Sequence, residues 1–127
     1  MKRQASGAPT QRQLRVAEEI RHVLAGIFGR HEFRDPDIAS ADVTISEVRL
    51  GPDLKHATVF VSRLGRSDIT ALLPALRRAA PYLRTRLAHE LRLRFAPDLH
   101  FQADEALDEA TRINRLLHSP EVARDLD

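Results

Sequence analysis

The chain of 127 residues contains no cysteine. That excludes a disulfide scaffold, a zinc ribbon and a thiol nucleophile, and it fits a reducing compartment. It also has no apolar run near the roughly 20 residues that a bilayer-spanning helix needs. The opening MKRQASGAPT lacks the apolar core of a signal peptide, so the expected location is cytoplasmic, with no membrane partner. Phosphate-cradling glycine loops ending in Lys-Ser or Lys-Thr are missing. The six histidines (His22, His31, His56, His89, His100, His118) have no paired spacing on one helical face, so no metal site is expected. His89-Glu90 is an adjacent pair that does not converge, while Glu18-Glu19 and Asp108-Glu109 read as helix-surface charge. The expectation is a chain without catalytic residues, cofactor or small-molecule substrate.

Lysine is scarce too: there are two lysines against eighteen arginines, for a net charge of +2. The distribution says more than the sum. The first fifteen residues hold Lys2, Arg3, Arg12 and Arg15 with no acid, whereas residues 104–127 hold seven acids and three arginines. From Arg77 to Arg94 there are six arginines (Arg77, Arg78, Arg84, Arg86, Arg92, Arg94) against one acid, Glu90. Such asymmetry suggests one face made for a polyanion and another kept away from it.

Taken in order, residues 1–9 are small, polar and proline-bearing and are expected to form a flexible basic tail. Thr10 with Gln13 is a capping-box pattern, and Leu14, Ala17, Ile20, Leu24, Ile27 and Phe28 form a helical stripe that Gly29 is placed to end. Gly26-Ile27-Phe28-Gly29 matches the Gly-x-x-Gly backbone clamp of KH domains, but its middle residues complete the buried stripe, so it is not read as a clamp. Residues 31–42 read as a polar connector with a turn at Asp35-Pro36. Val43, Ile45, Val48 and Leu50 change parity after Ile45, which predicts a bulge near Ser46-Glu47. Gly51 to Leu54 is a turn, and residues 55–63 return as the second strand of a hairpin.

Leu72, Leu76, Leu83, Leu87 and Leu91 then form a second stripe, in which Pro81 predicts a break at Ala79-Ala80-Pro81 between two short helices. Pro74 is tolerable only in the first turn. Leu99 to Ala103 is a third strand, and about Leu107 to Leu117 reads as a last helix before an acidic, flexible tail at 118–127. The order is helix, strand, strand, helix, kink, helix, strand. This predicts an α+β, type II KH-like domain over residues 10–117 with an additional C-terminal helix. A monomer is expected, because no second apolar stripe is left over.

The stretch Glu47-Val48-Arg49-Leu50-Gly51-Pro52-Asp53-Leu54-Lys55-His56-Ala57-Thr58-Val59-Phe60-Val61, followed by Leu93-Arg94-Phe95-Ala96-Pro97-Asp98-Leu99-His100-Phe101, Asp104 and Leu116-Leu117, resembles bacterial ribosome-binding factor A, a family of small-subunit assembly factors. The resemblance covers about Arg15 to Leu117. In that family an Ala-x-Gly kink replaces the KH clamp, and the matching positions here are Ala79, Ala80 and Pro81, with proline in place of glycine. Glu105-Ala106 also stands where the family commonly has a serine after the aspartate. The resemblance implies binding to the free or immature small (30S) subunit through its rRNA and ribosomal proteins, assistance in maturing the 16S rRNA, and a role in cold adaptation. It also raises an assembly GTPase as a partner.

Clustered cations suit phosphate contacts, and arginine's planar fork suits phosphates and splayed bases alike. Arg77, Arg78 and Arg84 beside the kink are the leading candidates, followed by Arg86, Arg92 and Arg94, and then by Lys55 in the hairpin turn and Arg12 and Arg15 on the first helix. Arg49 reads as structural, paired with Glu47 or Asp53. Phe28, Phe60, Phe95 and Phe101 are read as lying on apolar faces, so recognition by backbone and shape is expected in preference to base stacking. The competing reading is a protein–protein adaptor whose arginines serve solubility, and salt dependence separates the two.

Overall fold

Gln13 performs two tasks at the start of the first helix, α1 (Gln11–Gly29). Its N–H donates to Thr10 Oγ1 at 3.1 Å, and Thr10 N–H donates back to Gln13 Oε1 at 2.8 Å. The capping box therefore satisfies two of the N–H groups that a helix start leaves open. Gln13 Nε2 then donates to the Leu50 carbonyl, 3.1 Å away, and the residue is buried. The inward stripe is Gln13, Ala17, Ile20, Leu24, Ile27 and Phe28. Leu14, expected in that stripe, is instead 52% exposed, because the capping geometry turns Gln13 inward. In this computed structural model the chain is described over residues 8–39, 41–63, 68–93 and 95–104.

Gly29 is the last helical residue, as its position suggested, but the left-handed turn that closes α1 falls on His31 (φ 54°). His31 N–H donates to the Phe28 carbonyl and Glu32 N–H to the Ile27 carbonyl, the paired bonds of a Schellman close. The following connector is more ordered than its composition implies. Asp35 Oδ1 accepts from Asp37 N–H at 3.0 Å, Pro36 takes the first helical position, and the short helix α2 (Pro36–Ala39) seats Ile38 in the core.

Strands β1 (Thr44–Leu50) and β2 (His56–Ser62) are antiparallel, and the register shifts between Ile45 and Glu47, where the change of parity placed a bulge. Ser46 Oγ donates to the Phe60 carbonyl at that point. Strand β3 (Asp98–Ala103) pairs parallel to β2, giving the order β1-β2-β3. A parallel pair needs a long crossover. It is supplied by a single 3-10 turn (Ile69–Leu72) and the helix α3 (Leu73–Glu90). Ile45, Val48, Ala57, Val59, Val61, Leu99 and Phe101 face α1 and α3 across one core. This α+β arrangement is the KH-like one that the element order implied.

The expected break in the crossover is absent, since α3 runs from Leu73 to Glu90 with Pro81 inside it. Proline lacks the N–H that would reach the Arg77 carbonyl and its ring crowds that carbonyl, but both residues lie on the solvent side. Leu76 and Leu83, on either side of it, are fully buried on one face. Burying such side chains is worth about 1.5–3 kcal/mol each, enough to hold the helix through a locally unfavourable residue. Helix α3 closes on Arg92 at φ 53°, with Leu93 N–H donating to the Ala88 carbonyl at 3.0 Å. Residues 1–7 of the expected N-terminal tail (1–9), the expected C-terminal helix (107–117) and the expected acidic tail (118–127) lie outside the described residues, as does Arg94.

Candidate nucleic-acid interface

Two of the three leading arginines, Arg78 and Arg84, and Arg86 from the next group are held by carboxylates. Arg78 reaches back to the connector, with Nη2 at 3.0 Å from Asp35 Oδ2 and 2.8 Å from Asp37 Oδ2. The Asp37 backbone N–H first, and the Arg78 guanidinium after it, hold the Asp35 carboxyl below its ordinary value. Arg86 is bound on three sides: Nη1 lies 2.9 Å from Glu32 Oε1 and donates to Tyr82 Oη at 2.8 Å, and Nη2 is 2.8 Å from Glu90 Oε2. These partners, Glu32 foremost, raise its already high pKa. Arg84 Nη1 pairs with Asp98 Oδ1 at 3.2 Å, while Nη2 donates to the Ala96 carbonyl at 3.3 Å.

The remaining candidates stand differently. Arg77, Arg92, Arg12, Arg15 and Lys55 are all exposed and form no ion pair among the described residues. Arg77 stands on α3 beside a depression lined by Glu47, Arg49, Phe60 and Asp104. Ala79 and Ala80 are half-buried against the core, with Pro81 exposed next to them. A groove of about 780 Å³ beside Ala79 is walled by His31, Glu32, Phe33, Arg78, Tyr82 and Arg86, so the paired arginines buttress its sides. Arg49 is bound to Glu47 at 2.6 Å and lies over the Phe60 ring at 4.9 Å, the structural role expected of it.

The aromatic residues divide. Phe28 and Phe101 are in the core, but Phe60 is half-exposed on the open sheet face and Phe95 is 80% exposed. The apolar-face reading of Phe95 fails because the left-handed Arg92 redirects the chain after α3, so alternation counted through Leu93 and Phe95 no longer tracks the core. The only local signal was Ala96-Pro97, which marks a turn just where alternation would have continued. Phe95 stands on the wall of a second groove, of about 660 Å³, together with Arg12, Lys55 and Arg84. On the open sheet face, His56 Nδ1 lies 3.1 Å from His100 Nε2. No group of three or more metal-ligating side chains comes together among the described residues, and no helix among them is long and apolar enough to cross a membrane.

Comparison with known proteins places this geometry. A curated relative from Hyphomonas neptunium, named ribosome-binding factor A, is 52% identical over 124 residues, 95% of this chain and 92% of its own. The crystal structure of ribosome-binding factor A from Thermus thermophilus superposes with a TM-score of 0.58 at 30% identity, covering 72% of this chain and 94% of that one. A homology model of the Thermus thermophilus protein, fitted into the cryo-EM map of its complex with 30S, superposes with a TM-score of 0.59 at 29% identity, covering 73% and 96%. The family model described as ribosome-binding factor A matches residues 12–117, and with that span and these identities the chain belongs to the ribosome-binding factor A family.

Proposed function

We propose that this chain is a non-catalytic ribosome assembly factor that binds the free or immature small (30S) subunit in the cytoplasm and assists late maturation and processing of its 16S rRNA, with a role in cold adaptation. The observation that carries the reading is the complex of the Thermus thermophilus relative with 30S. It is joined by five exposed cations here, Arg12, Arg15, Lys55, Arg77 and Arg92, that form no ion pair among the described residues. Cations without a carboxylate partner can exchange condensed counterions for phosphates at little cost, whereas paired ones must first give up an existing contact. The proposed RNA contacts are therefore led by these five, with Arg84 and Arg94 beside them. Arg78 and Arg86 act chiefly by holding α3 to the connector, and Ala79, Ala80 and Pro81 by shaping the surface between.

The test is co-sedimentation of the purified protein with free small subunits and with assembled ribosomes, at low and moderate salt. Enrichment on free subunits that fades with salt supports the reading. Absence from the subunit fraction at every salt overturns it and leaves the adaptor reading. Accumulation of unprocessed 16S precursor, worst in the cold, on depletion of the protein tests the maturation role.

A further inference from the structure

We propose that the groove between the first half of α1, the β1–β2 turn and the segment Phe95-Ala96-Pro97 seats one unpaired nucleotide of single-stranded RNA, its base stacked on Phe95 and its phosphate met by Arg12 and Lys55. The inference rests on the reading of the chain as an rRNA binder and adds a mode of recognition to it, base stacking at a defined site.

Four observations converge on it. Phe95 is 80% exposed, the most exposed large apolar side chain among the described residues, and the flat face of an aromatic ring in water is a stacking partner for any base. Its loop is pinned. Arg84 holds the Ala96 carbonyl at 3.3 Å and Asp98 Oδ1 at 3.2 Å, Asp98 N–H donates to the Lys55 carbonyl at 2.8 Å, and Leu93 N–H closes onto Ala88. The ring is thus presented from a fixed frame, which lowers the ordering cost of binding.

The charges are complementary as well. The groove has two carboxylates, of which Asp98 is taken up by Arg84 and Asp53 accepts the Lys55 backbone N–H at 2.9 Å. Arg12 and Lys55 on the same walls form no ion pair among the described residues. The floor between them is apolar, made by Val16, Leu50, Leu54 and Pro97, and the volume of about 660 Å³ lies in the range of small-ligand clefts.

Finally, the β1–β2 turn that frames the groove carries Leu54 in the left-handed region, at φ 61°. Leucine adopts that conformation rarely, and such residues gather at binding sites, where the surroundings enforce them. A duplex cannot use this site, because its bases are already stacked and paired. A splayed nucleotide can.

The chain has no tryptophan, so Phe95→Trp in the full-length protein installs a single indole reporter at the site. Titration with a ten-nucleotide single-stranded RNA of mixed sequence is expected to quench its emission saturably, while a hairpin duplex of the same composition leaves it unchanged. In anisotropy with the labelled single strand, Phe95→Ala and Phe95→Leu are expected to bind about five- to a hundredfold more weakly than the wild type, with Phe95→Trp retaining affinity. Circular dichroism melts show whether each variant is folded. Unquenched indole in a Phe95→Trp protein that still sediments with small subunits overturns the nucleotide site and leaves the proposed function standing. Quenching by single strands without subunit binding supports the site and overturns the proposed partner. Unchanged affinity in Phe95→Ala overturns the site whatever the subunit result.

Discussion

Gln13 Nε2 lies 3.1 Å from the Leu50 carbonyl, so the first turn of α1 and the last residue of β1 are joined by one buried amide. The same side chain closes the capping box with Thr10. Gln13→Ala opens the box and leaves the Leu50 carbonyl without its partner. A cap loss of about 0.5–2 kcal/mol and an unsatisfied buried acceptor of about 1–3 kcal/mol put the expected destabilisation near 2–3 kcal/mol by urea denaturation. Gln13→Glu keeps the cap acceptor but brings a carboxylate to a carbonyl, so it is expected to fall between the wild type and Gln13→Ala.

Pro81 sits inside a continuous helix, and Pro81→Ala restores an N–H for the Arg77 carbonyl. Interior proline costs about 3 kcal/mol relative to alanine, partly offset by the about 0.4–1 kcal/mol that proline gains through the unfolded chain. Guanidinium denaturation is expected to give a variant about 2–2.5 kcal/mol more stable. A less stable variant would mean that the helix needs the proline's geometry at this point.

Arg77 and Arg78 are neighbours with opposite expected phenotypes. Arg77→Glu is expected to leave the melting temperature unchanged and to weaken small-subunit binding by roughly 1–2 kcal/mol, with the salt slope reduced by about one. Arg78→Glu faces Asp35 and Asp37, so it is expected to lower the melting temperature by a few degrees and to affect binding less. Sedimentation and calorimetry on the two proteins side by side decide this. Equal loss of binding in both would restore Arg78 to the RNA-contacting set.

Glu18, Glu32 and Asp35 are all held below their ordinary values of 4.5, 4.5 and 3.8, by Arg21, by Arg30 with Arg86, and by the Asp37 N–H with Arg78 respectively. A carboxylate with a depressed folded pKa binds fewer protons folded than unfolded in that range. Its contribution is therefore present above the unfolded value and is lost as pH falls through the folded one. Stability is expected to be flat from neutrality to about pH 5 and to fall below that. The fall should be shallower in Asp35→Asn, as read by denaturation midpoints across pH.

Much of the fold was legible because its signals are local. The Thr10–Gln13 box needs four residues, and the bulge at Ser46-Glu47 shows in a single change of parity. Pro81 misled because the rule that breaks a helix at proline is local too, and the packing of Leu76 and Leu83 that overrides it comes from residues on other elements. The pairing of the arginines was not legible at all: Arg78 finds Asp35 43 positions away, and nothing in the run Arg77-Arg78 tells the exposed cation from the tethered one. Leu14 and Phe95 failed for a common reason. Periodicity counts positions, but the capping turn before one and the left-handed residue before the other change the direction in which those positions point.

The parallel pairing of β2 with β3 also sets an order of events during synthesis. The β1–β2 hairpin closes over a short loop and can form as soon as it emerges, whereas β3 waits for the whole α3 crossover. Until residue 103 has left the exit tunnel, β2 has an unpaired edge and α3 lacks a strand it packs against. A nascent chain stalled before β3 should be captured by a holding chaperone and cut readily by protease, and one stalled well past it should resist both. The core of the described residues thus cannot close until the ribosome making the chain has released β3.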